Sequence, residues 1–449
     1  MRAQLVTVTE RDCGVPDDKI SRVLVLGASG LVGSTLCARL ARGGFKVTAA
    51  VHRPRARMPG KFTLARLELA KMQSSEQWMP LVRQADAVVN CAGLLQDGGG
   101  NTVEAVHAIG PAALFAACAR ARVRRVIHLS AIGVDREQPT AFSRTKAAGD
   151  EALMKTDLDW VILRPSVVTG RQAYGGSALF RGLAALPFIP ALESAGKLQI
   201  VQLDDVIRTI LFFLKNDAPA KVELELPGPD RLSFEETVAA YRCWYGWPAA
   251  RIIRMPSWLM KAAYAAGDVA GRLGWRPPIR STAAREMLRG ATGDPSEWKA
   301  MTGIEPKSLA AALADEPASV QERWFAQLYL LKPLIFAVLA LFWIGTAAMA
   351  LGPGWGIGLS LMYEGGIAQP LASGVVIAGA LADLLIGIGI AVRRTSRAAL
   401  HAGILISVIY AVIGTCLVPR LWLDPLGPML KIWPVLLLNA VALAILEDR

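Results

Sequence analysis

The chain has 449 residues and a formal net charge of +12; 53% of its residues are hydrophobic and 19% are charged. This length exceeds that of one ordinary domain, and the apolar balance predicts that part of the chain lies in lipid. The basic charge fits a protein beside an anionic membrane leaflet, and the sequence lacks the basic-aromatic runs and DNA-binding motifs that would indicate a nucleic-acid partner.

The N-terminal residues and the cysteines exclude some further classes of protein. Residues 1–19 mix charges with Pro16 and lack the apolar stretch of a signal peptide, so we expect a short, poorly ordered tail. The six cysteines form no CxxC pair, and no Cys/His cluster has metal-site spacing. We therefore predict reduced thiols in a cytoplasmic domain, and no bound metal.

A glycine-rich turn follows the first predicted strand, an apolar run at residues 22–26. Gly27, Gly30 and Gly33 lie in this turn, and a helical pattern and a second strand follow it. In this setting Gly27 permits a tight turn, Gly30 lets the backbone approach a pyrophosphate, and Gly33 lets the helix pack close to the strand. Amide groups at the start of the helix would hold the phosphates. The pattern predicts dinucleotide binding; the alternative is a scaffold that has lost its ligand.

The end of the second predicted strand bears on the choice of cofactor. An acidic residue there would bind the ribose 2′-hydroxyl of NAD, but this sequence has His52-Arg53-Pro-Arg. Arg53 is suited to pair with a 2′-phosphate, which favours NADP over NAD; the alternative is a set of solvated surface charges. The cofactor-binding residues predicted from the turn and the strand ends are Gly27, Ser29, Gly30, Leu31, Val32, Gly33, His52, Arg53, Glu68, Ala92 and Gly93.

Strands and helices continue to alternate through the first half of the chain. Further strands are predicted at 62–67, at 85–93 including the loop that ends it, at 125–130 and at 160–166, with a helix at 102–121. We therefore predict an α/β fold for residues 20–250, a Rossmann-like doubly wound parallel sheet. Ligands of such sheets bind at the C-terminal ends of the strands, where Ala92, Gly93 and Ser130 lie.

Residues 251–330 are predicted to form a helical segment that is either part of the substrate lobe or a linker at the membrane interface. Within residues 251–277, tryptophan, methionine and leucine alternate with arginine and lysine. Cationic amphipathic helices with tryptophan can lie in a membrane interface. The alternative is a helix packed on its own domain.

Residues 331–449 are predicted to form an all-α transmembrane four-helix bundle. Apolar runs long enough for a hydrocarbon core of about 30 Å lie at 333–352, 371–392, 399–418 and 431–446. The glycine-rich stretch at 353–370 is predicted to be a loop or a re-entrant piece.

Lysine and arginine placement predicts the orientation of the spans. Arg393, Arg394 and Arg397 lie between the second and third spans, whereas the opposite loops carry only Arg420 and Lys431. Both termini and the nucleotide domain are therefore expected on the cytoplasmic side of a bacterial inner membrane.

Asp383 lies near the middle of the second predicted span, where a carboxylate is costly. Ser407, Tyr410 and Asn439 are expected at similar depth on neighbouring helices. Two interpretations remain open: a polar cluster for a quinone-like headgroup or a proton, and a structural hydrogen bond between helices.

Residues 20–315 contain a set of short motifs: Gly27-x-x-Gly30-x-x-Gly33, Asn90-Cys-Ala-Gly93, His128-Leu-Ser130, Arg164-Pro165 and Leu203-Asp-Asp-Val206. With these motifs the chain resembles the short-chain dehydrogenase/reductase superfamily. It is most similar to the extended and atypical members, the NmrA-like proteins and the nucleotide-binding accessory subunit of respiratory complex I. The pattern of spans, with Arg323-Trp-Phe-Ala-Gln-Leu-Tyr-Leu-Leu-Lys332-Pro333 before the first, resembles the DoxX-like membrane domains.

The first resemblance implies a site with one departure from the superfamily pattern. Its enzymes use Tyr-x-x-x-Lys with an upstream Ser, and the matching residues here are Phe142, Lys146 and Ser130. Lys146 and Pro165 are implied to contact the cofactor, and Ser130 and Lys146 to take part in catalysis. Phe142 has no hydroxyl and cannot transfer a proton. Either another group such as Tyr174, Ser143 or a water supplies the proton, or the domain binds NADPH without turnover.

Three hypotheses for function follow from these observations. The first is a membrane-anchored NAD(P)H-binding oxidoreductase of atypical type, acting on or sensing a hydrophobic or quinone-like substrate that the lipid-embedded half delivers. The second is a non-catalytic assembly or stability factor of a membrane complex that binds NADPH. The third is an epimerase or lyase acting on a lipid-linked substrate.

Overall fold

The computed structural model describes residues 20–52, 62–98, 100–192 and 195–446. The predicted tail at 1–19 and Arg53 lie outside these described residues. The chain divides into two compact units. The first unit contains the chain up to Gly267 together with Pro278–Arg323. The second unit contains Asp268–Pro277 together with the chain from Trp324 onward.

The first unit is built on a parallel sheet of seven strands. The strands of the unit are β1 Arg22–Leu26, β2 Lys46–Val51, β3 Thr63–Arg66, β4 Ala87–Asn90, β5 Arg125–Leu129, β6 Asp159–Pro165, β7 Val168–Thr169, β8 Phe188–Ala191, β9 Val201–Gln202, β10 Val222–Leu226 and β11 Arg251–Arg254. The sheet order is β10-β6-β5-β4-β1-β2-β3, and β8–β11 and β7–β9 form two further pairs. The predicted Rossmann-like sheet is confirmed. Its strand order reverses between β1 and β4, so a ligand cleft is expected at the C-terminal ends of those two strands.

Helices lie on both faces of this sheet. The helices between residues 31 and 315 are α1 Leu31–Arg42, α2 Ser75–Val82, α3 Gly110–Arg120, α4 Ala141–Met154, α5 Gly175–Leu183, α6 Leu203–Phe213, α7 Phe234–Trp244, α8 Ser257–Arg272, α9 Ser281–Arg289, α10 Ser296–Thr302 and α11 Leu309–Asp315. Along β1 the side chains alternate between two cores: Val25 packs in one and Leu24 in the other. Strands buried on both faces read as continuous apolar runs, which explains the pattern at 22–26.

Two predicted elements of this unit differ from the structure. The helix predicted at 102–121 is present at residues 103–120, but it contains a π-helical turn, Ala105–Ile109, before α3. Pro111 near the start of α3 has no N–H to donate, so the α-helical hydrogen bonding is interrupted there. The segment predicted to be helical from residue 251 starts with β11, because its backbone pairs with the edge of β8.

The second unit contains four helices that are long and apolar enough to cross a membrane. They are α12 Val320–Leu351, α14 Leu371–Ala391, α15 Ser396–Leu417 and α16 Pro428–Ile445, and the short α13, Trp355–Glu364, lies between the first two. Glycines permit close helix contact: a Cβ on Gly387 would lie 2.9 Å from the carbonyl oxygen of Ala340. The four predicted spans are confirmed as apolar helices.

The boundaries of the first span and the loop after it differ from the prediction. Helix α12 begins at Val320, because the amide of Ser319 donates to the Glu322 carboxylate at 2.9 Å and caps the helix. It continues through Pro333. The stretch predicted to be a loop or re-entrant piece contains α13.

Residues Asp268–Pro277 belong to the unit of membrane helices. The indole nitrogen of Trp275 donates to the carbonyl of Ala391 at 2.7 Å. Its ring packs 4.7 Å from that of Phe336, and the Arg393 guanidinium lies 5.5 Å above it. This short segment is therefore attached to α12 and α14 by packing, a hydrogen bond and a cation–π contact.

Candidate functional site

The turn between β1 and α1 has the geometry of a phosphate cradle. Gly27 has φ +68°, a conformation that favours glycine, and a Cβ there would lie 2.8 Å from the carbonyl oxygen of Cys91. A Cβ on Gly33 would lie 2.3 Å from the carbonyl oxygen of Gly27. Helix α1 begins at Leu31, so the amides of Leu31, Val32 and Gly33 have no intrahelical acceptors. These residues fit a dinucleotide pyrophosphate, whose charge the helix N-terminus also favours.

The loop after β4 lies beside the glycine turn, at the C-terminal ends of the strands. Three buried side chains hold this loop in place. The Asn90 carboxamide oxygen accepts from the amide of Ala92 at 3.1 Å. The His107 Nε2 accepts from the amide of Leu94 at 2.9 Å. The Lys146 ammonium donates to the carbonyl of Leu129 at 2.8 Å and to that of Ala92 at 3.4 Å. Lys146 therefore ties the ends of β4 and β5 together.

His107 is a neutral imidazole in this arrangement. Its Nε2 accepts a hydrogen bond, which leaves the proton on Nδ1, 3.1 Å from the Thr145 hydroxyl. Burial, with contributions from Lys146 and His128, lowers the pKa of His107 to about 2. His107 is thus a fixed support for the loop. The role of His107 is visible only in the structure, because in the sequence it is an isolated histidine outside any motif.

Lys146 is an ammonium with an unusually low affinity for its proton. Burial lowers the pKa of Lys146 to about 8, although Asp150 and Cys91 act in the opposite direction. The side chain is only 4% exposed and lies near Gly93, where a Cβ would be 3.7 Å from its nitrogen. A lysine whose pKa is this close to neutral can both hold and release a proton.

Ser130 belongs to a buried ionic network behind the strand ends. Its hydroxyl donates to the Asp150 carboxylate at 2.9 Å, and the Arg164 guanidinium donates to the same oxygen at 3.1 Å. Burial raises the pKa of Asp150, and Arg164 opposes that shift. Arg164 also pairs with Glu223 at 2.6 Å. The sequence reasoning missed Asp150, whose position one helical turn after Lys146 was the available signal.

The structure places Phe142 and Tyr174 in different surroundings. Phe142 is partly exposed, and its ring meets that of His107 edge-on at 5.5 Å. Tyr174 precedes α5, and its hydroxyl lies 3.9 Å from the position of a Cβ on Gly30. Tyr174 is therefore brought to the glycine turn, beside the phosphate cradle.

The remaining predicted residues lie at several positions along the strand ends. His52 follows β2, and its Nδ1 is buried without a hydrogen-bond partner among the described residues. Glu68 follows β3 and pairs with Lys71 at 2.6 Å. Pro165 ends β6, and its carbonyl accepts from the amide of Ile132 at 3.1 Å. Ser29 is half-buried in the glycine turn.

Comparisons with known proteins agree with this division of the chain. A family described as NAD(P)H-binding matches residues 27–183, and a DoxX-like family matches residues 340–440. Ceramide reductase of Caulobacter vibrioides is 23% identical over 269 residues, covering 59% of this chain and 84% of that protein. The 40 kDa subunit of NADH-ubiquinone oxidoreductase from Neurospora crassa is 29% identical over 215 residues, covering 46% of this chain. The match spans 55% of the length of that subunit.

Solved structures with the same fold include enzymes in complex with NAD. The Bordetella bronchiseptica enzyme WbmG, in complex with NAD and UDP, matches with a TM-score of 0.53 and 15% identity. That match covers 69% of this chain and 97% of WbmG. UDP-glucuronic acid 4-epimerase from Bacillus cereus matches with a TM-score of 0.50 and 18% identity, covering 69% of this chain and all of that enzyme. At these identities the matches show the fold alone. The protein thus combines a region that matches an NAD(P)H-binding family and has complex I-like homologues with a C-terminal region that matches a DoxX-like family.

Proposed function

We propose that the protein is a membrane-anchored reductase that uses NAD(P)H to reduce a lipid-type carbonyl substrate. The observation that carries the proposal is the glycine cradle, shaped for a dinucleotide, in one chain with four apolar spans. The similarity to a ceramide reductase over 84% of that protein supports a lipid substrate. The exposed apolar side chains of Ile252 and Trp258 support contact of the nucleotide unit with the membrane interface.

The residues at the strand ends have distinct parts in this reaction. A bound reduced nicotinamide supplies the hydride. Asn90 and His107 hold the loop after β4, which lines the cleft, and the phosphate cradle fixes the other end of the cofactor. Phe142 cannot protonate the substrate oxygen, and Ser130 is committed to Asp150. We propose that Lys146, which holds the carbonyl of Ala92, contacts the cofactor at this edge and that a water supplies the proton.

Turnover of NADPH or NADH in vesicles containing the full chain tests this proposal. Consumption of the cofactor that depends on an added keto-lipid supports a reductase. A second candidate function, a cofactor-binding assembly factor without turnover, is favoured by Phe142 and by the burial of Ser130. Cofactor binding without consumption across a panel of keto-lipids would select that alternative. Conversion of a lipid-linked substrate without net cofactor consumption would instead indicate an epimerase or lyase.

The variant Phe142→Tyr is expected to raise turnover roughly 10- to 100-fold, because it returns a hydroxyl one helical turn before Lys146. Phe142 is partly exposed, so the added oxygen meets no closed core. The measurement is kcat for keto-lipid reduction in vesicles. Phe45→Tyr, which also modifies a partly buried ring, serves as the control. An unchanged kcat in Phe142→Tyr would show that a missing hydroxyl does not limit the reaction.

We propose that the cofactor is NADPH, because the residue at position 53 is an arginine. Arg53→Ala is expected to weaken NADPH binding about 10-fold or more and to leave NADH binding unchanged, because the guanidinium would meet the 2′-phosphate. Fluorescence titration of the full chain with each cofactor measures this. Arg42→Ala, at the end of α1, is the matched control. Equal losses for NADPH and NADH would argue against a 2′-phosphate contact.

We further propose that the protein lies in the inner membrane of a bacterium with the nucleotide unit in the cytoplasm. Arg393, Arg394 and Arg397 lie at the junction of α14 and α15, which supports a cytoplasmic position for that junction. Four spans then bring the chain from α16 back to the same side, so that NAD(P)H from the cytoplasm is available to the cradle.

A further inference from the structure

The hydroxyls of Tyr410 and Tyr174 lie in different kinds of polar surroundings. The Tyr410 hydroxyl donates to the Asp383 carboxylate at 2.9 Å, which is a hydrogen bond between the membrane helices α15 and α14. The Tyr174 hydroxyl lies in the nucleotide unit, 3.9 Å from the position that a Cβ on Gly30 would take. Gly30 is the residue at which the backbone can approach a pyrophosphate. Tyr174 therefore borders the space that a bound dinucleotide would fill.

Tyr174 is fixed in place by the helix that follows it. It is the last residue of the loop that joins β7 to α5, residues 170–174. Its half-buried ring packs against the apolar core that α1 and α6 share. Its amide donates to the Ser177 hydroxyl at 3.0 Å, and that hydroxyl donates to the Tyr174 carbonyl at 2.9 Å. These bonds hold Tyr174 on the first turn of α5.

A buried arginine holds the other end of the same loop. Arg181 lies two helical turns after Tyr174 and is 3% exposed. Its guanidinium donates to the carbonyls of Gly170 at 2.6 Å and Arg171 at 2.9 Å. The rings of two aromatic residues of α7 lie 5.4 Å from it, Tyr241 and Trp244. A buried cation is costly unless its donors find partners. Arg181 finds them in the loop and so fixes its conformation.

The Tyr174 hydroxyl complements the donors that the glycine turn supplies. The amides of residues 31–33 would face a pyrophosphate from the start of α1. The Tyr174 hydroxyl borders the same space from the loop before α5. A hydroxyl that donates to a phosphate oxygen forms a charge-assisted hydrogen bond, which is stronger than one between neutral groups. The two segments together therefore offer donors to one diphosphate.

We propose that Tyr174 is a ligand of the cofactor pyrophosphate and that Arg181 is the positioning residue that holds its loop beside the glycine turn. Tyr174 thus takes part in binding and not in proton transfer. NADH and NADPH share the pyrophosphate, so Tyr174 does not select between them. The proposal deepens the proposed function and rests on it, because it requires a dinucleotide in the cradle.

The test measures ligand binding by the full chain in detergent. The probes are NADH and NADPH, followed by their fluorescence, and ADP-ribose, followed by displacement of NADH. ADP-ribose has the pyrophosphate and lacks the nicotinamide, so it separates a phosphate contact from a role at the reacting ring. Tyr174→Phe is expected to weaken binding of all three about 10-fold. Tyr264→Phe, which removes a half-buried hydroxyl from α8, is the control and should bind them normally.

The outcomes separate this proposal from the proposed function. Unchanged binding in Tyr174→Phe would overturn the role of Tyr174 and leave the proposed function standing. Tighter binding would show that the hydroxyl obstructs the cradle, and it would overturn the role as well. Weaker binding of NADH and NADPH but not of ADP-ribose would assign Tyr174 to the nicotinamide end and contradict a pyrophosphate contact. If the original chain binds none of the three ligands, the proposed function fails together with this proposal.

A double-mutant cycle tests Arg181 as a positioning residue. Arg181→Lys keeps the charge and loses the planar fork that reaches two carbonyls. It is expected to weaken ADP-ribose binding about 5-fold in the original chain and to add little in Tyr174→Phe, where the loop no longer carries the donor. Arg242→Lys is the matched control, because Arg242 donates to the carbonyls of Ala184 at 2.8 Å and Leu186 at 2.6 Å, outside this loop. Equal losses in both backgrounds would mean that Arg181 does not act through Tyr174. The Tyr174→Phe result stands by itself if Arg181→Lys does not fold.

Discussion

Replacing Gly33 with alanine is expected to weaken binding of NADH and NADPH by at least about 100-fold. The new Cβ would lie 2.3 Å from the carbonyl oxygen of Gly27 and 2.9 Å from the Cα of Ala28, so backbone must move. That movement separates α1 from the end of β1 and displaces the amides that face the pyrophosphate. Fluorescence titration of the full chain with each cofactor measures the change.

Two further substitutions make this experiment specific. Gly43→Ala, at the other end of α1, meets its neighbours at 3.4 Å and should bind cofactor normally. Gly30→Ala brings a Cβ to 3.2 Å from the Gly27 oxygen, a smaller conflict that is expected to preserve the fold and still weaken binding. Normal affinity in both Gly33→Ala and Gly30→Ala would mean that this turn does not hold the cofactor.

The variant Arg164→Met is expected to destabilise the nucleotide unit by about 3–5 kcal/mol, because it leaves the buried Asp150 carboxylate without its cationic partner. Asp150 is 1% exposed, so water cannot replace the lost hydrogen bond. Thermal unfolding of the full chain in detergent measures the effect. Arg120→Met, which breaks an exposed pair with Glu76, is the control and should change the midpoint little.

The same variant has an expected pH dependence. Burial raises the pKa of Asp150 above its ordinary value, so the folded state favours the protonated carboxyl. The contribution of Asp150 to the free energy of unfolding therefore falls as pH rises through the pKa of the folded state. Loss of Arg164 raises that pKa further. The deficit of Arg164→Met relative to the original chain should therefore be largest near neutral pH and smaller in acid, where Asp150 is protonated in both. A deficit independent of pH would assign the destabilisation to lost packing.

The features that the sequence predicted best are those encoded by neighbouring residues. The apolar run of β1, the spacing of Gly27, Gly30 and Gly33, and the long apolar helices each depend on local pattern, and each is present in the structure. The start of α12 was missed because the Ser319–Glu322 cap lies well before the apolar run that marked the span. Hydropathy identifies the apolar residues that lie in lipid, but it does not identify the polar helical turns that precede them.

The supports of the candidate site could not be predicted in the same way. His107 meets Leu94 and Thr145, and Arg164 meets Asp150, only after the strands and helices have assembled. The resemblance to reductases identified Lys146 and Ser130 by position, but their hydrogen bonds to Leu129 and Asp150 depend on how deeply α4 packs. That depth follows from Gly149, where a Cβ would lie 2.2 Å from the His107 carbonyl oxygen.

The attachment of Trp275 has a consequence for dissection of the molecule. The peptide Asp268–Pro277 lies between two stretches of the nucleotide unit in sequence but packs with the membrane helices, so the chain passes between the units at three places. Cleavage after Arg323 would cut only the last passage. The fragment that ends at Arg323 would still be bound to the membrane helices, through the hydrogen bond of the Trp275 indole to Ala391 and its ring contact with Phe336.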